Sequence, residues 1–88
     1  MNNNLSLYNI FLAVAEAGST LGAAKTLFIS QPAVSKAISK LEASLEVSLF
    51  VRSKKGVRLT DDGLILYDRI KNAFEYIDEG ESVIRERN

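Results

Sequence analysis

The chain is organised around the stretch SQPAVSKAISKL, residues 30–41. Together with Leu45, its larger apolar residues recur at the spacing of one helix face: Val34, Ile38, Leu41 and Leu45. Such a stripe is predicted to be buried along its whole length. Ser30 suits the N-cap, and Pro32, the single proline, suits the first turn, so we expect a helix over about residues 31–44.

The opposite face of this helix is small, hydroxylic and basic. It carries no acid before Glu42, whereas a solvated helix face usually mixes Glu with Lys. Periodicity alone would fit an ordinary amphipathic helix. Amide, hydroxyl and amine groups, however, suit a DNA groove lined with acceptors and phosphates. We therefore expect these residues to bind DNA, with the first of them nearest the base edges: Gln31, Pro32, Ala33, Ser35, Lys36, Ser39 and Lys40.

Composition limits the possible functions. With 88 residues, the chain has room for one small domain and one modest core. It lacks cysteine and histidine, so disulfides, the usual zinc ligands and histidine-based catalysis are excluded, and no metal or cofactor is expected. Among the function classes considered, an enzyme ranks a distant third, after a DNA-binding domain and a protein-interaction module. No apolar run could span a bilayer and no basic-then-apolar leader is present, which predicts a cytoplasmic protein without a membrane partner.

Charge is segregated along the chain although the formal net charge is zero. Residues 25–58 hold seven basic and two acidic residues, a net charge of +5, while residues 59–88 hold four basic and eight acidic residues. This pattern favours a basic face held against phosphates and a separate acidic element kept away from them.

Two helices are predicted before the central one. The first forms a structural stripe that stops at Gly18, and its members are Leu7, Ile10, Phe11, Val14 and Ala15. Ser19 or Thr20 can cap a second, shorter helix that carries Ala23, Ala24 and Leu27. Two helices joined by so few residues are typical of a helix-turn-helix, although a plain helical hairpin has the same pattern.

A β-hairpin is predicted after the central helix. Residues 47–52 and 57–59 alternate in polarity around a turn at residues 53–56. Basic residues at such a tip are often merely solvated. Beside a basic helix, the hairpin is better interpreted as a wing whose Arg52, Lys54 and Lys55 contact a flanking phosphate or the minor groove.

A long acidic helix is predicted from a cap at Thr60 to Ile84. Its apolar residues follow a heptad spacing, which is typical of helices that pair. The same face could instead pack on the first helix, or its first half could pack there while its second half pairs. The residues expected at the pairing surface are Leu66, Ile70, Ala73, Phe74, Ile77, Gly80 and Ile84.

These motifs together resemble the N-terminal DNA-binding domain and linker helix of the LysR-type transcriptional regulators. The resemblance covers essentially the whole chain, and its most specific element is Ser30-Gln-Pro-Ala-Val-Ser35. The other matching residues are Phe11-Leu-Ala-Val-Ala-Glu-Ala-Gly-Ser19, Ala23-Ala24, Leu27, Ile38, Leu41-Glu42, Leu45, Leu49-Phe50, Arg52 and Gly56-Val-Arg-Leu-Thr60.

The resemblance implies a mainly α fold, in which a winged helix-turn-helix of three helices and a two-stranded β wing precedes a long dimerisation helix. Residues 1–60 would form the DNA-binding domain and residues 61–88 the linker helix. The implied function is sequence-specific binding of a pseudo-palindromic operator as a homodimer in a bacterium or archaeon. Family members usually continue into a C-terminal domain that senses a small-molecule effector, and they can form tetramers. That domain is absent from this chain, which implies a piece of a longer protein.

Departures from the family pattern occur at four places. Lys36 stands where arginine is more usual, which favours a phosphate contact over a bidentate base contact. Thr20-Leu21 replaces an aromatic residue followed by threonine. Glu46 stands where glycine usually ends the recognition helix, so either a non-glycine residue takes positive φ or the helix ends differently. Ser48 replaces a frequent base.

A second hypothesis of a different class remains. The chain could be a protein-interaction module that pairs through the linker helix and does not bind DNA. The basic segment 25–58 argues against it, and a salt titration of duplex binding distinguishes the two.

Overall fold

The computed structural model describes residues 5–88, so the first four residues of the predicted domain 1–60 lie outside the described part of the chain. Three helices, a two-stranded antiparallel sheet and a long fourth helix follow one another, which confirms the predicted mainly α fold with a two-stranded wing. The elements are α1 Leu5–Ala17, α2 Thr20–Leu27, α3 Gln31–Leu45, β1 Phe50–Ser53, β2 Gly56–Leu59 and α4 Asp61–Arg87.

The junction between α1 and α2 is set by two adjacent small residues. Gly18 has φ +71° and ends α1, as expected for a residue without Cβ. Of the two possible caps, Ser19 is the one used, because its Oγ accepts a hydrogen bond from the Gly22 amide at 2.9 Å. Thr20 is thereby left as the first residue of α2.

Helix α3 begins and ends at residues that the sequence indicates. Ser30 Oγ accepts from the Ala33 amide at 3.2 Å, and Pro32 lies in the first turn. At the other end Glu46 takes φ +58°, and its amide donates to the Glu42 carbonyl. Of the two possible helix ends, the chain therefore uses positive φ at a non-glycine residue.

The core lies where α1, α2 and α3 meet, and it extends under the wing and the start of α4. Phe11 of α1 packs against Phe50 of β1 with ring centroids 5.2 Å apart, which joins the helices to the sheet. The largest fully buried side chains of this core come from α1, α3 and the segment before β1: Phe11, Val14, Val34, Leu41 and Leu49.

Leu45 does not belong to this core. The prediction that the α3 stripe is buried along its whole length is correct for Val34, Ile38 and Leu41 but wrong for Leu45, which is 42% exposed. Leu45 is the last residue of α3, and the left-handed turn at Glu46 leads the chain away from it. One side of Leu45 therefore stays open to solvent.

The first strand starts later than the alternation predicts. Pairing begins at Phe50 rather than at Val47, which is itself exposed. The cause is the Glu42 side chain, whose Oε2 accepts from the Leu49 amide at 2.6 Å and from the Phe50 amide at 3.3 Å. Those two donors are satisfied by a carboxylate of α3, so the strand is fastened to α3.

The wing is also fastened to the turn between α1 and α2. The Val57 amide donates to the Gly18 carbonyl at 3.0 Å. Gly56 has φ +119°, and a Cβ at that position would collide with the same Gly18 carbonyl oxygen. Since Glu42 holds the other strand, the wing is anchored on both of its strands.

The long helix α4 begins with a double anchor. Thr60 Oγ1 accepts from the Gly63 amide at 3.0 Å and donates to the Ser48 carbonyl at 2.7 Å. Farther along, Ile70 is buried in the core and the Tyr67 hydroxyl donates to Glu16 of α1 at 3.3 Å. The first half of α4 therefore packs on the body of the domain.

Candidate nucleic-acid interface

The outer face of α3 is open to solvent, while its inner face is buried. Six of the seven predicted contact residues on α3 are exposed: Gln31, Pro32, Ala33, Lys36, Ser39 and Lys40. The seventh, Ser35, is half-buried. Burial on the other side is almost complete, since Val34, Ala37, Ile38 and Leu41 are all buried. The helix thus presents one polar surface from its first residue to Lys40.

The sign of charge on this surface is uniform. Lys36 and Lys40 are exposed, and the first turn of α3 contains no acidic residue. The single acid of α3, Glu42, is half-buried and accepts from two amides at the start of the wing. Its negative charge is therefore directed away from the outer face, where it would repel a phosphate.

The N-terminus of α3 faces the wing across a small cleft. The cleft has a volume of about 220 Å³. Its walls come from the start of α2, from Gln31 and from the two strands: Ser19, Thr20, Leu21, Gln31, Arg52, Ser53, Gly56 and Val57. The structure therefore brings Gln31 and Arg52, two of the predicted contact residues, to one place.

The strand register determines which basic side chains lie on the side of the wing that faces the helices. Arg52 is paired with Val57, and paired residues project to the same side of an antiparallel sheet. Because Val57 packs against the core, Arg52 lies on the side of the wing that faces the helices. Arg58 is paired with Val51 and projects to the opposite side.

The turn of the wing carries the remaining predicted contacts. Lys54 and Lys55 are exposed between the two strands. The Lys55 amide donates to Ser53 Oγ at 3.3 Å, and the positive φ of Gly56 closes the turn. Two ammonium groups thus lie at the tip, beyond the cleft that holds Gln31 and Arg52.

Thr20 belongs to this site although sequence reasoning did not assign it there. The Gln31 side chain donates from Nε2 to Thr20 Oγ1 at 3.0 Å. Glu42 is the second residue that was missed, because nothing in the spacing of residues 42 and 49 indicates their contact. For Thr20, the departure from the family pattern was the available signal.

The predicted pairing surface on α4 divides into two parts. Its first residues pack on the body of the same domain, with Ile70 buried and Leu66 and Phe74 half-buried. The others are exposed, namely Ala73, Ile77, Gly80 and Ile84. A groove of about 340 Å³ between α1 and α4 connects the two parts: it is lined by Leu5, Tyr8, Leu66, Arg69, Ile70, Ala73, Phe74 and Ile77.

Residues 5–88 also bear on the other function classes. Within that range no helix combines the length and apolarity needed to cross a membrane. The same residues contain no cluster of three acidic or metal-ligating side chains that could hold a metal ion. Every buried side-chain oxygen or nitrogen in the described chain has a hydrogen-bond partner.

Comparison with known proteins agrees with this geometry. A family model described as "Bacterial regulatory helix-turn-helix protein, lysR family" matches residues 5–64. An uncharacterized HTH-type transcriptional regulator of Mycobacterium bovis, Mb2303c, is 40% identical over 75 residues, which are 85% of this chain and 24% of that protein. The regulator YoaU of Bacillus subtilis is 52% identical over 61 residues, 68% of this chain and 21% of that protein. The chain thus spans about a quarter of the length of these relatives.

Solved structures of similar proteins include complexes with DNA. The DNA-binding domain of BenM bound to benA site 1 DNA has a TM-score of 0.87 and 30% identity, covering 100% of both chains. The CbnR DNA-binding domain in complex with DNA has a TM-score of 0.80 and 37% identity, covering 99% of this chain and 95% of that one. These similarities extend over the helices, the wing and α4.

Proposed function

Because the chain belongs to the LysR family of bacterial regulatory helix-turn-helix proteins and is a DNA-binding domain rather than an enzyme, we propose that it binds pseudo-palindromic operators as a dimer. In this proposal α3 enters the major groove, and the wing contacts the flanking backbone or the minor groove. Residues 1–60 form the binding domain and residues 61–88 the linker helix.

The observation that carries the proposal is the polarity of α3. An amphipathic helix buries its whole inner face up to Leu41, and its only acid is engaged elsewhere by the Leu49 and Phe50 amides. The remaining surface offers an amide, hydroxyls and two ammonium groups with no competing negative charge. A groove edged by phosphates is the partner that such a surface complements.

Individual roles follow from position along α3. Gln31 and Pro32 lie in the first turn, which is where a recognition helix reaches base edges. Ser35 and Lys36 come one turn later, with the hydroxyl suited to a base or phosphate and the ammonium to a phosphate. Ala33, Ser39 and Lys40 complete the proposed contact surface on α3.

The wing is proposed to extend this contact along the duplex. Arg52 shares the cleft with Gln31 and is placed for the backbone beside the groove that α3 occupies. Lys54 and Lys55 lie farther out on the tip, where they would meet the next phosphates or the minor groove. Together the three side chains make binding salt-dependent.

Dimerisation is proposed to use the exposed half of α4 and the groove beside α1. Ile77 and Ile84 are 50% and 61% exposed, which is costly in an isolated chain. At Gly80 no atom lies within 4 Å of where a Cβ would be, so a second helix backbone has room to approach. The seam would bury these apolar side chains, with Leu66, Ile70, Ala73 and Phe74 contributing through the groove.

Charge along α4 favours an antiparallel pair. Centring an antiparallel pair at residue 75 places Arg69 at the level of Glu81 of the second copy. A parallel pair would instead set each of these charges against its own copy. Opposite charges across a helix pair decide its orientation, because like charges repel.

The remaining expectations concern the longer protein. Since the chain covers only about a quarter of its relatives, an effector domain after residue 88 is proposed, through which a small molecule would act and a tetramer could form. We also propose that the protein acts in the cytoplasm of a bacterial or archaeal cell, where it would reach its operator.

A duplex titration tests the proposal. An operator is first selected from a pool of duplexes with a randomised centre, and binding is then measured against salt concentration. We expect affinity to fall steeply with salt, and the double variant Ser35→Ala/Lys36→Ala to bind at least about tenfold more weakly with its thermal unfolding nearly unchanged. Sedimentation should show two chains per duplex.

The matched control removes one hydroxyl and one cation from the end of α4. Arg85 donates to Ser82 there at 3.3 Å, and Ser82→Ala/Arg85→Ala should leave DNA affinity within about twofold. An equal loss of DNA affinity in both double variants would mean that the net charge of the chain, and not the face of α3, determines binding. Salt-independent binding, or no enrichment of any duplex, would favour the alternative of a protein-interaction module that pairs through the exposed face of α4.

A further inference from the structure

The side chain of Gln31 is held by a residue of another helix. Its Nε2 donates to Thr20 Oγ1 at 3.0 Å across the cleft between the starts of α2 and α3. Thr20 is only 9% exposed and is the one buried polar residue in the described part of the chain. Both residues are first in their helices, and each helix is capped by the serine just before it. The two ends of this hydrogen bond therefore have fixed backbones.

This bond determines which end of the amide remains free. A glutamine amide has a carbonyl oxygen that accepts and an NH₂ group that donates, and rotating the amide by 180° exchanges the two. With Nε2 engaged by Thr20, Oε1 points to the other side of the amide carbon. A free Gln31 would be able to present either group to a base edge, whereas in the bonded one Thr20 engages one of the two N–H groups and leaves Oε1 as the unengaged end of the amide.

We propose that Thr20 is a specificity-determining residue that never touches DNA: it holds the Gln31 amide so that its carbonyl oxygen faces the base edge. In the major groove, adenine N6 and cytosine N4 are donors, whereas guanine O6 and N7 and thymine O4 are acceptors. A carbonyl oxygen therefore selects adenine or cytosine at the base that Gln31 reads, and it disfavours guanine and thymine. This inference rests on the proposed function.

The bond is a property of this chain. The family pattern usually has an aromatic residue at position 20, whereas this chain has Thr20, whose hydroxyl accepts from the Gln31 amide. Thr20 is almost completely buried, and its hydroxyl oxygen contacts Gln31 at the cleft. Valine has nearly the same shape without the hydroxyl, and serine keeps the hydroxyl without the methyl.

The experiment measures base preference rather than affinity alone. A pool of duplexes with a randomised centre is captured by the 88-residue chain and sequenced before and after capture. Gln31→Ala identifies the base pair that Gln31 reads, as the position where its preference disappears. We expect Thr20→Val to reduce discrimination against guanine and thymine there by about three- to tenfold, the range of one hydrogen bond, and to leave other positions unchanged.

Three further variants separate positioning from folding. Thr20→Ser retains the acceptor and should keep the wild-type preference. Adding Thr20→Val to Gln31→Ala should change nothing more, because the amide that Thr20 positions is gone. Thr26→Val is the matched control on the same helix, since the Thr26 hydroxyl donates to its own helix at the Gly22 carbonyl, at 3.1 Å, and not to Gln31.

The possible failures are distinguishable from one another. If the wild-type chain enriches no duplex, the proposed function itself fails. If it enriches a site but Thr20→Val keeps the full preference at the position that Gln31→Ala identifies, or Gln31→Ala identifies no position, Thr20 has no role in specificity. A wild-type preference for guanine or thymine at that position would show that the NH₂ group faces the base, and would overturn the assigned orientation.

Discussion

Helices α3 and α4 are both amphipathic, but they differ in how far the apolar face is buried and in the charge of the polar face. In α3 the apolar face is buried as far as Leu41 and the polar face is basic. In α4 the apolar face is buried only up to Ile70, continues exposed to Ile84, and is flanked by acids. One helix thus leaves a cationic surface without a partner and the other an apolar one. The comparison indicates that one small domain carries two different surfaces: a cationic one suited to an anionic partner and an apolar one suited to an apolar partner.

The largest expected effect on stability distinguishes two halves of α4. The docked half packs on the domain up to Ile70, and the free half that follows is mostly exposed. Gly63 is buried, and a Cβ there would collide with the Leu49 carbonyl oxygen, so Gly63→Ala must displace the helix from the wing segment. We expect a loss of about 3 kcal/mol in the free energy of unfolding, measured by urea denaturation.

Gly80→Ala is the opposite substitution on the same helix. No atom lies within 4 Å of a Cβ at Gly80, so the exchange should stabilise the monomer by about 1 kcal/mol through helix propensity. If both alanine variants were destabilised to a similar degree, the division of α4 into a docked and a free half would be incorrect.

The next effect compares the two polar faces. Lys36→Glu places a negative charge on the outer face of α3, and we expect operator affinity to fall by about 2 kcal/mol, or about 30-fold, measured by fluorescence anisotropy at fixed salt. The slope of affinity against salt should also become shallower by about one unit of the logarithmic plot.

Lys71→Glu makes the same charge change on α4. Because Lys71 lies over the Tyr67 ring, 5.8 Å from its centroid and on the acidic helix, this variant should retain operator affinity within about threefold. A comparable loss in both variants would mean that the net charge of the chain, rather than the face of α3, attracts the duplex.

The smallest effect tests how α4 pairs. Under the antiparallel arrangement, Glu81→Lys brings a positive charge beside Arg69 of the second copy and should weaken dimerisation by about 0.5 kcal/mol at each of the two symmetric contacts. Adding Arg69→Glu restores opposite charges and should recover the wild-type dimerisation constant, measured by sedimentation equilibrium at low salt. A double variant weaker than Glu81→Lys alone would contradict the antiparallel pairing.

Sequence reasoning succeeded where the cause is local. The cap at Ser30, the proline in the first turn and the stop at Gly18 each depend on residues within one helical turn, and the structure has all three. The stripe on α3 was also correct up to Leu41, because helix periodicity decides it. The alternation in residues 47–59 also predicted the hairpin that forms the wing.

The errors and omissions come from contacts between distant residues. Strand β1 begins at Phe50 because a carboxylate seven residues earlier satisfies the Leu49 amide, and no propensity scale contains that bond. The Thr20 contact spans eleven residues and two helices. Leu45 is exposed because of where the chain turns after it, although its position in the stripe is regular.

The double anchoring of the wing has a mechanical consequence. One strand is tied to α3 through Glu42 and the other to the α1–α2 turn through the Gly18 carbonyl, so helix and wing form one stiff unit with a fixed span. If α3 and the wing bind DNA as proposed, their rigidity leaves the adjustment to the duplex, which would curve or narrow its groove to meet both. Base steps that deform easily between the two contacts should then improve an operator without being touched.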